Sequence, residues 1–148
     1  MLLSICIPTY NRPESLINCL NSLAKQKEKN FEVCISDNCS KKNIKKIITP
    51  YKKKLKIRFK KNKKNLGFAL NLLNVSSMAR GKYIWFIGDD DLLIPGAIKY
   101  LIKLLKKNST FEFFWINTFY LNARYLRNFK KPFDIKKLPK KNDTSFKA

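Results

Sequence analysis

Apolar positions along the chain follow two rhythms. Leu2–Pro8 (LLSICIP), Phe31–Ser36 (FEVCIS) and Tyr83–Ile87 (YIWFI) are short unbroken runs rich in β-branched and aromatic residues, which predicts buried strands. Leu55–Phe59 (LKIRF) alternates and predicts a more exposed strand, and Phe111–Phe119 predicts a last one. Between these runs the apolar spacing widens to three or four residues. Pro13-Glu14-Ser15 opens a helix, with proline in its first turn and an acid at the positive end of its dipole. Leu16, Ile17, Leu20 and Leu23 give that helix its apolar face. Asn43–Tyr51 is a weaker helix, interrupted near Pro50. Leu66–Ala79 is helical by period, with Leu70, Leu73 and Met78 on one side and Gly81 as its stop. Pro95–Lys107 is amphipathic, with Ile98, Leu101, Ile102 and Leu105 inside and lysines outside. The order β-α-β-α-β-α-β-α-β predicts an α/β fold, a mostly parallel sheet with helices on both faces. Ligands of such sheets bind in the loops beyond the carboxyl ends of the strands. After about Tyr120 the pattern dissolves into Asn, Lys, Pro and Phe. The expected division is a domain over residues 1–120 and a basic, loosely ordered stub over 121–148.

Composition narrows the class. The 148 residues suit one domain or a piece of a larger one, and a hydrophobic content of 45% can build a real core. No apolar run approaches the roughly 18 residues of a membrane span. Met1–Pro8 lacks a basic leading region and a small-residue cleavage site, so no signal peptide and a cytoplasmic protein are expected. Lys and Arg number 32 against 10 Asp and Glu, a net charge of +22, which directs attention to an anionic partner. Of those cations 27 are Lys and 5 are Arg, whereas base readout leans on Arg. There is no histidine, which removes His-based triads and His general bases. Cys6, Cys19, Cys34 and Cys39 form no CxxC pair and read as reduced thiols rather than a zinc site.

The chemistry then lies at the strand ends. Pro8-Thr9-Tyr10-Asn11-Arg12 follows the first strand, with an aromatic face and an amide. Asp37-Asn38-Cys39-Ser40 follows the second, where a carboxylate can meet a base or ribose edge. Asn65-Leu66-Gly67 turns into a helix, and Gly88-Asp89-Asp90-Asp91 follows the most hydrophobic strand. Between Lys41 and Lys82 there is no acid at all, and then three stand adjacent. Carboxylates a few ångströms apart repel by roughly 4 kcal/mol per pair at an effective dielectric near 20. Such a triplet wants full solvation or a cation, and Mg²⁺-type sites typically combine one or two carboxylates with substrate phosphates.

These four segments, in this order, resemble the nucleotide-binding half of family 2 glycosyltransferases with the GT-A fold. The matching residues are Ile5-Cys-Ile-Pro-Thr-Tyr-Asn-Arg12, Phe31-Glu-Val-Cys-Ile-Ser-Asp37-Asn-Cys-Ser40, Asn65-Leu-Gly-Phe-Ala-Leu-Asn71 and Gly81-Lys-Tyr-Ile-Trp-Phe-Ile-Gly-Asp-Asp-Asp-Leu-Leu93, spanning about Ser4 to Leu105. The resemblance implies a Rossmann-like sheet that binds a nucleoside-diphosphate sugar, UDP-linked, and an inverting transfer to a cell-surface glycan or lipid-linked acceptor. It implies that Pro8, Thr9, Tyr10 and Asn11 line the base pocket and that Asp37 contacts the base. Asn65 and Gly67 would shape the floor. Asp89 and Asp90 would belong to the D-x-D element that holds ribose and, through Mn²⁺ or Mg²⁺, the diphosphate, with Asp90 and Asp91 as metal ligands. Two departures stand out. Aligned on Leu92-Leu93, the family's first acid falls on Gly88 and its second on Asp90, although Asp89 and Asp91 also fit D-x-D by spacing. Only 57 residues follow Asp91, so most of the acceptor half, and with it the general base, is expected to be missing. Glu112 is a weak candidate base, and a donor-binding remnant without activity is an alternative.

Lys41–Lys64 holds 13 cations in 24 residues and no acid. It suits an anionic membrane surface, at up to about 1 kcal/mol per cation, and the inner face of the cell membrane is the expected location. A basic nucleic-acid-binding module is the competing class, since these lysines can track phosphates. That reading leaves the acidic triplet without a role, and nucleic acid is not the expected partner. A phosphotransfer domain of the haloacid-dehalogenase kind wants D-x-D-x-T, and Leu93 stands where its Thr belongs.

Overall fold

The computed structural model describes residues 1–108, positions 110, 112 and 116, and two short strand segments further on. It divides into two units, Met1–Asn108 and Ser109–Ala148. In the second unit Tyr120–Leu121 pairs antiparallel with Phe129–Lys130. The expected strand over Phe111–Phe119, apart from positions 112 and 116, and most of the stub lie outside the described residues.

In the first unit the apolar runs become strands β1 (Leu3–Thr9), β2 (Phe31–Asp37), β3 (Ile57–Lys61) and β4 (Tyr83–Phe86). Helices α1 (Pro13–Ala24), α2 (Ile44–Ile48), α3 (Gly67–Ser76) and α4 (Ala97–Lys107) alternate with them, and a 3₁₀ turn over Thr49–Lys53 follows α2. The break at Pro50 thus shortens the second helix to five residues and tightens the rest. All four strands are parallel, in the order β3-β2-β1-β4. Thr9 pairs with Asp37, and Asp37 with Lys61, so three strands end level. The chain steps outward from β1 through β2 to β3 and then returns to the far side of β1. The carboxyl ends of β1 and β4 therefore flank the point where strand order reverses, the usual ligand crevice of open α/β sheets.

The two sheet faces differ in chemistry. Ile5, Ile7, Val33 and Ile35 are fully buried on one face, the side on which α1 supplies Leu16, Leu20 and Leu23 and α2 supplies Ile44 and Ile48. Burying each such side chain contributes roughly 1.5–3 kcal/mol before entropy. The other face carries Ser4, Cys6, Glu32, Cys34 and Ser36, and α3 lies against it through Val75. Ser36 donates to Asn71 Oδ1 at 2.7 Å, and Asn71 Nδ2 donates back to the Ser36 carbonyl at 3.1 Å. A polar sheet face thus selects a polar helix face. This corrects the periodicity reading of α3: its buried residues are Asn71 and Val75, while Leu70 and Leu73 are exposed. Met78 is half-buried against the Cys6–Cys34–Val75 cluster, as its period suggests.

The expectation that Tyr83–Ile87 is fully buried also needs correction. Ile87 is buried, but Ile84 and Phe86 are exposed and Trp85 only half-buried. Among the described residues β4 has β1 on one side and no strand on the other, so one hydrogen-bonding edge is open. Its entry is tightly held nonetheless. Ser4 Oγ donates to Glu32 Oε1 at 2.7 Å, the same oxygen accepts the Arg80 N–H at 2.7 Å, and the Gly81 N–H donates to Ser4 Oγ at 2.8 Å. Among the described residues no helix is long and apolar enough to cross a membrane.

Candidate nucleotide-binding site

The loops after β1 and β2 are laced together before either contributes a functional group. Asn11 adopts a left-handed backbone (φ 55°), which Asn tolerates better than most residues. Its N–H donates to Ser40 Oγ at 2.9 Å, and its side-chain oxygen accepts the Lys41 N–H at 2.9 Å. Asp37 Oδ1 accepts the Ser40 N–H at 2.9 Å, while Oδ2 has no hydrogen-bond donor among the described residues and lies 3.9 Å from Lys61 Nζ. Asp37 is fully buried. Asn38 ties the β2 loop to the start of α3. Its Nδ2 donates to Asn65 Oδ1 at 2.7 Å and to the Gly67 carbonyl at 3.2 Å, and its Oδ1 accepts the Leu66 N–H at 2.9 Å. Gly67 holds φ +79°, a left-handed conformation that suits glycine at this helix entry.

The acidic triplet closes the other side. Ile87 extends the β1 ladder by donating to the Cys6 carbonyl at 3.1 Å, and the chain then turns, with the Asp91 N–H on the Gly88 carbonyl at 3.2 Å. Each of the three acids has a different surrounding. Asp89 is buried, and its Oδ2 accepts from Thr9 Oγ1 at 2.7 Å. Asp91 turns back, and its Oδ2 accepts the Gly88 N–H at 2.6 Å. Asp90 is exposed and accepts from Arg12 Nη2 at 2.7 Å. Arg12 Nη1 also lies 3.1 Å from Asp89 Oδ1, so one guanidinium bridges two neighbouring carboxylates. The hydrogen bond from Arg12 holds the Asp90 carboxyl below the usual carboxylate range, and Asp90 in turn raises Arg12. Burial pushes Asp89 up, against the pull of Thr9 and Arg12. The Arg12–Asp90 pair is half open to water, and pairs of that kind contribute at most about 1 kcal/mol.

Between these walls lies a cleft of about 390 Å³. Of the residues singled out in the sequence, it is lined by Pro8, Thr9, Tyr10, Asn65, Gly67, Asp89 and Asp90. Asn11 and Asp37 do not line it; they build the loops beneath and beside it. Asp91 is likewise absent from the lining. Arg12, Asn38, Phe68 and Asn71 join the wall without having been assigned a role from sequence. All four stand inside the matched segments, but the partners that give Arg12 and Asn38 a role lie 78 and 27 residues away. Glu112 is exposed and lies in the second unit.

The donor set suits a hard divalent cation only in part. Asp89 and Asp90 offer carboxylate oxygens already gathered on one cation. Among the described residues no group of three or more His, Cys, Asp or Glu forms a cage. A pair of carboxylates completed by ligand phosphates and water is the arrangement Mg²⁺ and similar ions commonly take, so the residues fit a metal that arrives with a diphosphate. At Gly88, where the family's first acid would fall, a Cβ would lie 2.6 Å from Asp90 Oδ1 and 3.3 Å from Asp91 Oδ2, so a side chain there requires these carboxylates to swing aside.

Comparison with known proteins shows the family and the fold. The family model described as glycosyl transferase family 2 matches residues 4–146. Abequosyltransferase RfbV of Salmonella typhimurium is 40% identical over 105 residues, which cover 68% of this chain and 32% of RfbV. The poly(ribitol-phosphate) beta-N-acetylglucosaminyltransferase TarS of Staphylococcus aureus is 32% identical over 102 residues, 67% of this chain and 18% of TarS. A crystal structure of S. aureus TarS in complex with UDP superimposes with a TM-score of 0.69 at 28% identity, over 74% of this chain and 33% of that one. A mannosyltransferase from Pyrobaculum calidifontis, in complex with GDP-Man and Mn²⁺, shares the fold with a TM-score of 0.63 at 18% identity. The chain spans about a third or less of the length of RfbV and TarS.

Proposed function

This chain belongs to glycosyl transferase family 2 and has its GT-A fold, and we propose that its cleft binds a nucleoside-diphosphate sugar, UDP-linked, as the donor in an inverting transfer to a cell-surface glycan or lipid-linked acceptor. One observation carries the reading: Thr9 and Tyr10 from the end of β1, Asn65 and Gly67 from the entry of α3, and Asp89 and Asp90 beyond β4 converge on one cleft at the reversal of strand order. Tyr10, 43% exposed, offers a face for the base. Asp37, fully buried and off the cleft wall, braces the loop after β2 through the Ser40 N–H, and its Oδ2 meets a base edge only if that loop opens. Asn38 fixes Asn65 and the first turn of α3 as the floor. Thr9 holds Asp89 by its hydroxyl, which leaves Asp90 facing the cleft as the principal metal ligand with Asp89 beside it. A bound Mn²⁺ or Mg²⁺ supplies charge neutralisation for the departing nucleoside diphosphate. No described carboxylate besides Asp89 and Asp90 lines the cleft, so donor binding is the part of the reaction assigned to this chain.

The test is a calorimetric titration of the full chain with UDP, with and without Mn²⁺. Binding is expected only, or much more tightly, with the metal. Equal heats in both series, or none in either, would refute the donor-binding reading while leaving the fold in place.

We also propose that the basic segment rests on anionic lipid. All twelve lysines between Lys41 and Lys64 are exposed, and the ion pairs among the described residues engage two of them, Lys42 with Glu14 and Lys61 with Asp37. Co-sedimentation with anionic vesicles, lost in high salt and absent with zwitterionic ones, is the expected result. Retention on zwitterionic vesicles would rule out this electrostatic docking.

A further inference from the structure

Among the described residues that line the cleft, Arg12 is the only cation, and it stands on the same two carboxylates that the proposed metal needs. We propose that Arg12 is a resident counter-cation: it holds Asp89 and Asp90 together while the cleft is empty, yields them to the divalent ion, and moves to the diphosphate. This deepens the donor-binding reading and rests on it.

Three features support the exchange. The bridge satisfies two adjacent carboxylates that would otherwise repel across the floor of the site. Its anchor is firm and its head is loose. The Arg12 backbone is fixed at the start of α1, where its carbonyl accepts the Leu16 N–H at 3.1 Å and Pro13 follows at once. Its side chain is 51% exposed and can swing without unpacking the core. Finally, a guanidinium matches a phosphate as well as it matches a carboxylate, in the same two-pronged geometry. Arg12 therefore has a second partner only when the nucleotide is present.

The consequence is a coupling between ligands. Metal alone must displace Arg12 and leave the guanidinium without a partner. Metal arriving with a diphosphate leaves it paired. Metal and nucleotide should accordingly strengthen each other, and by the same factor in both directions.

The experiment measures Mn²⁺ alone by the loss of its free-ion electron paramagnetic resonance signal, and UDP in the presence of Mn²⁺ by calorimetry, for wild type and Arg12→Gln. Arg12→Gln is expected to bind Mn²⁺ alone several-fold more tightly than wild type and to bind UDP with Mn²⁺ several-fold more weakly. A residue that only shaped the loop would lose both. Mn²⁺ binding that is unchanged or weaker in Arg12→Gln, including no detectable binding in either protein, overturns the inference. If wild type binds UDP with Mn²⁺ and the variant shows no gain for Mn²⁺ alone, the counter-cation role fails and the donor-binding reading stands. If wild type binds no UDP with metal, the donor-binding reading fails and this inference with it. Should Arg12→Gln fail to fold by circular dichroism, Arg12→Lys takes its place: an ammonium is a point charge that cannot bridge both carboxylates in the two-pronged way, so it too is expected to gain affinity for Mn²⁺ alone.

Discussion

Asp90→Ala is expected to remove the metal-dependent part of UDP binding, a loss of at least about 100-fold in affinity at saturating Mn²⁺. Loss of a group that merely orients a metal ligand commonly lowers affinity about 10–100-fold, and removing a ligand from a site with only two protein carboxylates exceeds that. Asp90 is singled out by its surroundings. Asp89 is buried under Thr9, Asp91 is turned onto the Gly88 N–H, and Asp90 alone of the three is both exposed and on the cleft wall. Asp91→Asn is the matched contrast. An amide oxygen still accepts from Gly88, so UDP binding with Mn²⁺ is expected to stay within a few-fold of wild type. Calorimetry on the two variants separates the possible D-x-D pairings that spacing alone leaves open. If Asp91→Asn loses metal-dependent binding and Asp90→Ala keeps it, the assignment of ligands is inverted.

The second large effect concerns stability, at a residue far from the ligand. Gly81→Ala is expected to destabilise the first unit by about 1–3 kcal/mol, the usual range for forcing extra volume into a packed site. A Cβ on Gly81 would stand 2.6 Å from the Ser4 nitrogen, 2.7 Å from the Leu3 carbonyl carbon and 2.8 Å from Ser4 Oγ. Two of those three atoms are backbone of β1, which its neighbours β2 and β4 hold in register. The strand cannot give way without breaking those ladders, so β4 must shift instead. Its far end carries Asp89, so the cleft should loosen along with the fold. Urea unfolding checks this: the midpoint should fall while the slope stays constant. A midpoint within about 0.5 kcal/mol of wild type, the scatter of an ordinary surface change, would show that the approach of Gly81 to β1 is not limiting.

Both expectations depend on knowledge of different origin. The alternation of apolar runs with amphipathic stretches was enough to place four strands and four helices, because a strand buried on both faces and a helix buried on one leave distinct local periods. The idea that Thr9, Asp37 and the acids share one edge follows from all strands running the same way, whereas the level ends of β1 and β2 are a matter of register. The resemblance carried by Pro8–Arg12, Asp37, Asn65–Gly67 and the acidic triplet pointed to a nucleotide site, and seven of the ten residues so assigned line one cleft, with Asn11, Asp37 and Asp91 outside its lining. Periodicity misled where the burying surface was itself unusual. Leu70 and Leu73 are as apolar as Leu16 and Leu20, but α3 lies on a sheet face of Ser, Cys and Glu, and only the identity of that face selects Asn71. Likewise YIWFI reads as a central strand, yet Ile84 and Phe86 are exposed: by register they share the face of Ser4 and Cys6, and α3 packs on that face over β1 and β2.

The sequence by itself determined the four strands and four helices of the first unit, their order, the residue types at each strand end and the family, since all of these are written in stretches of a dozen residues or fewer. The tertiary structure alone decided that β4 lies beside β1, that Thr9 meets Asp89 across 80 positions, and that Arg12 rather than a lysine closes the acid pair. Those contacts join side chains distant along the chain, and they are fixed by strand order and register, which no local period encodes.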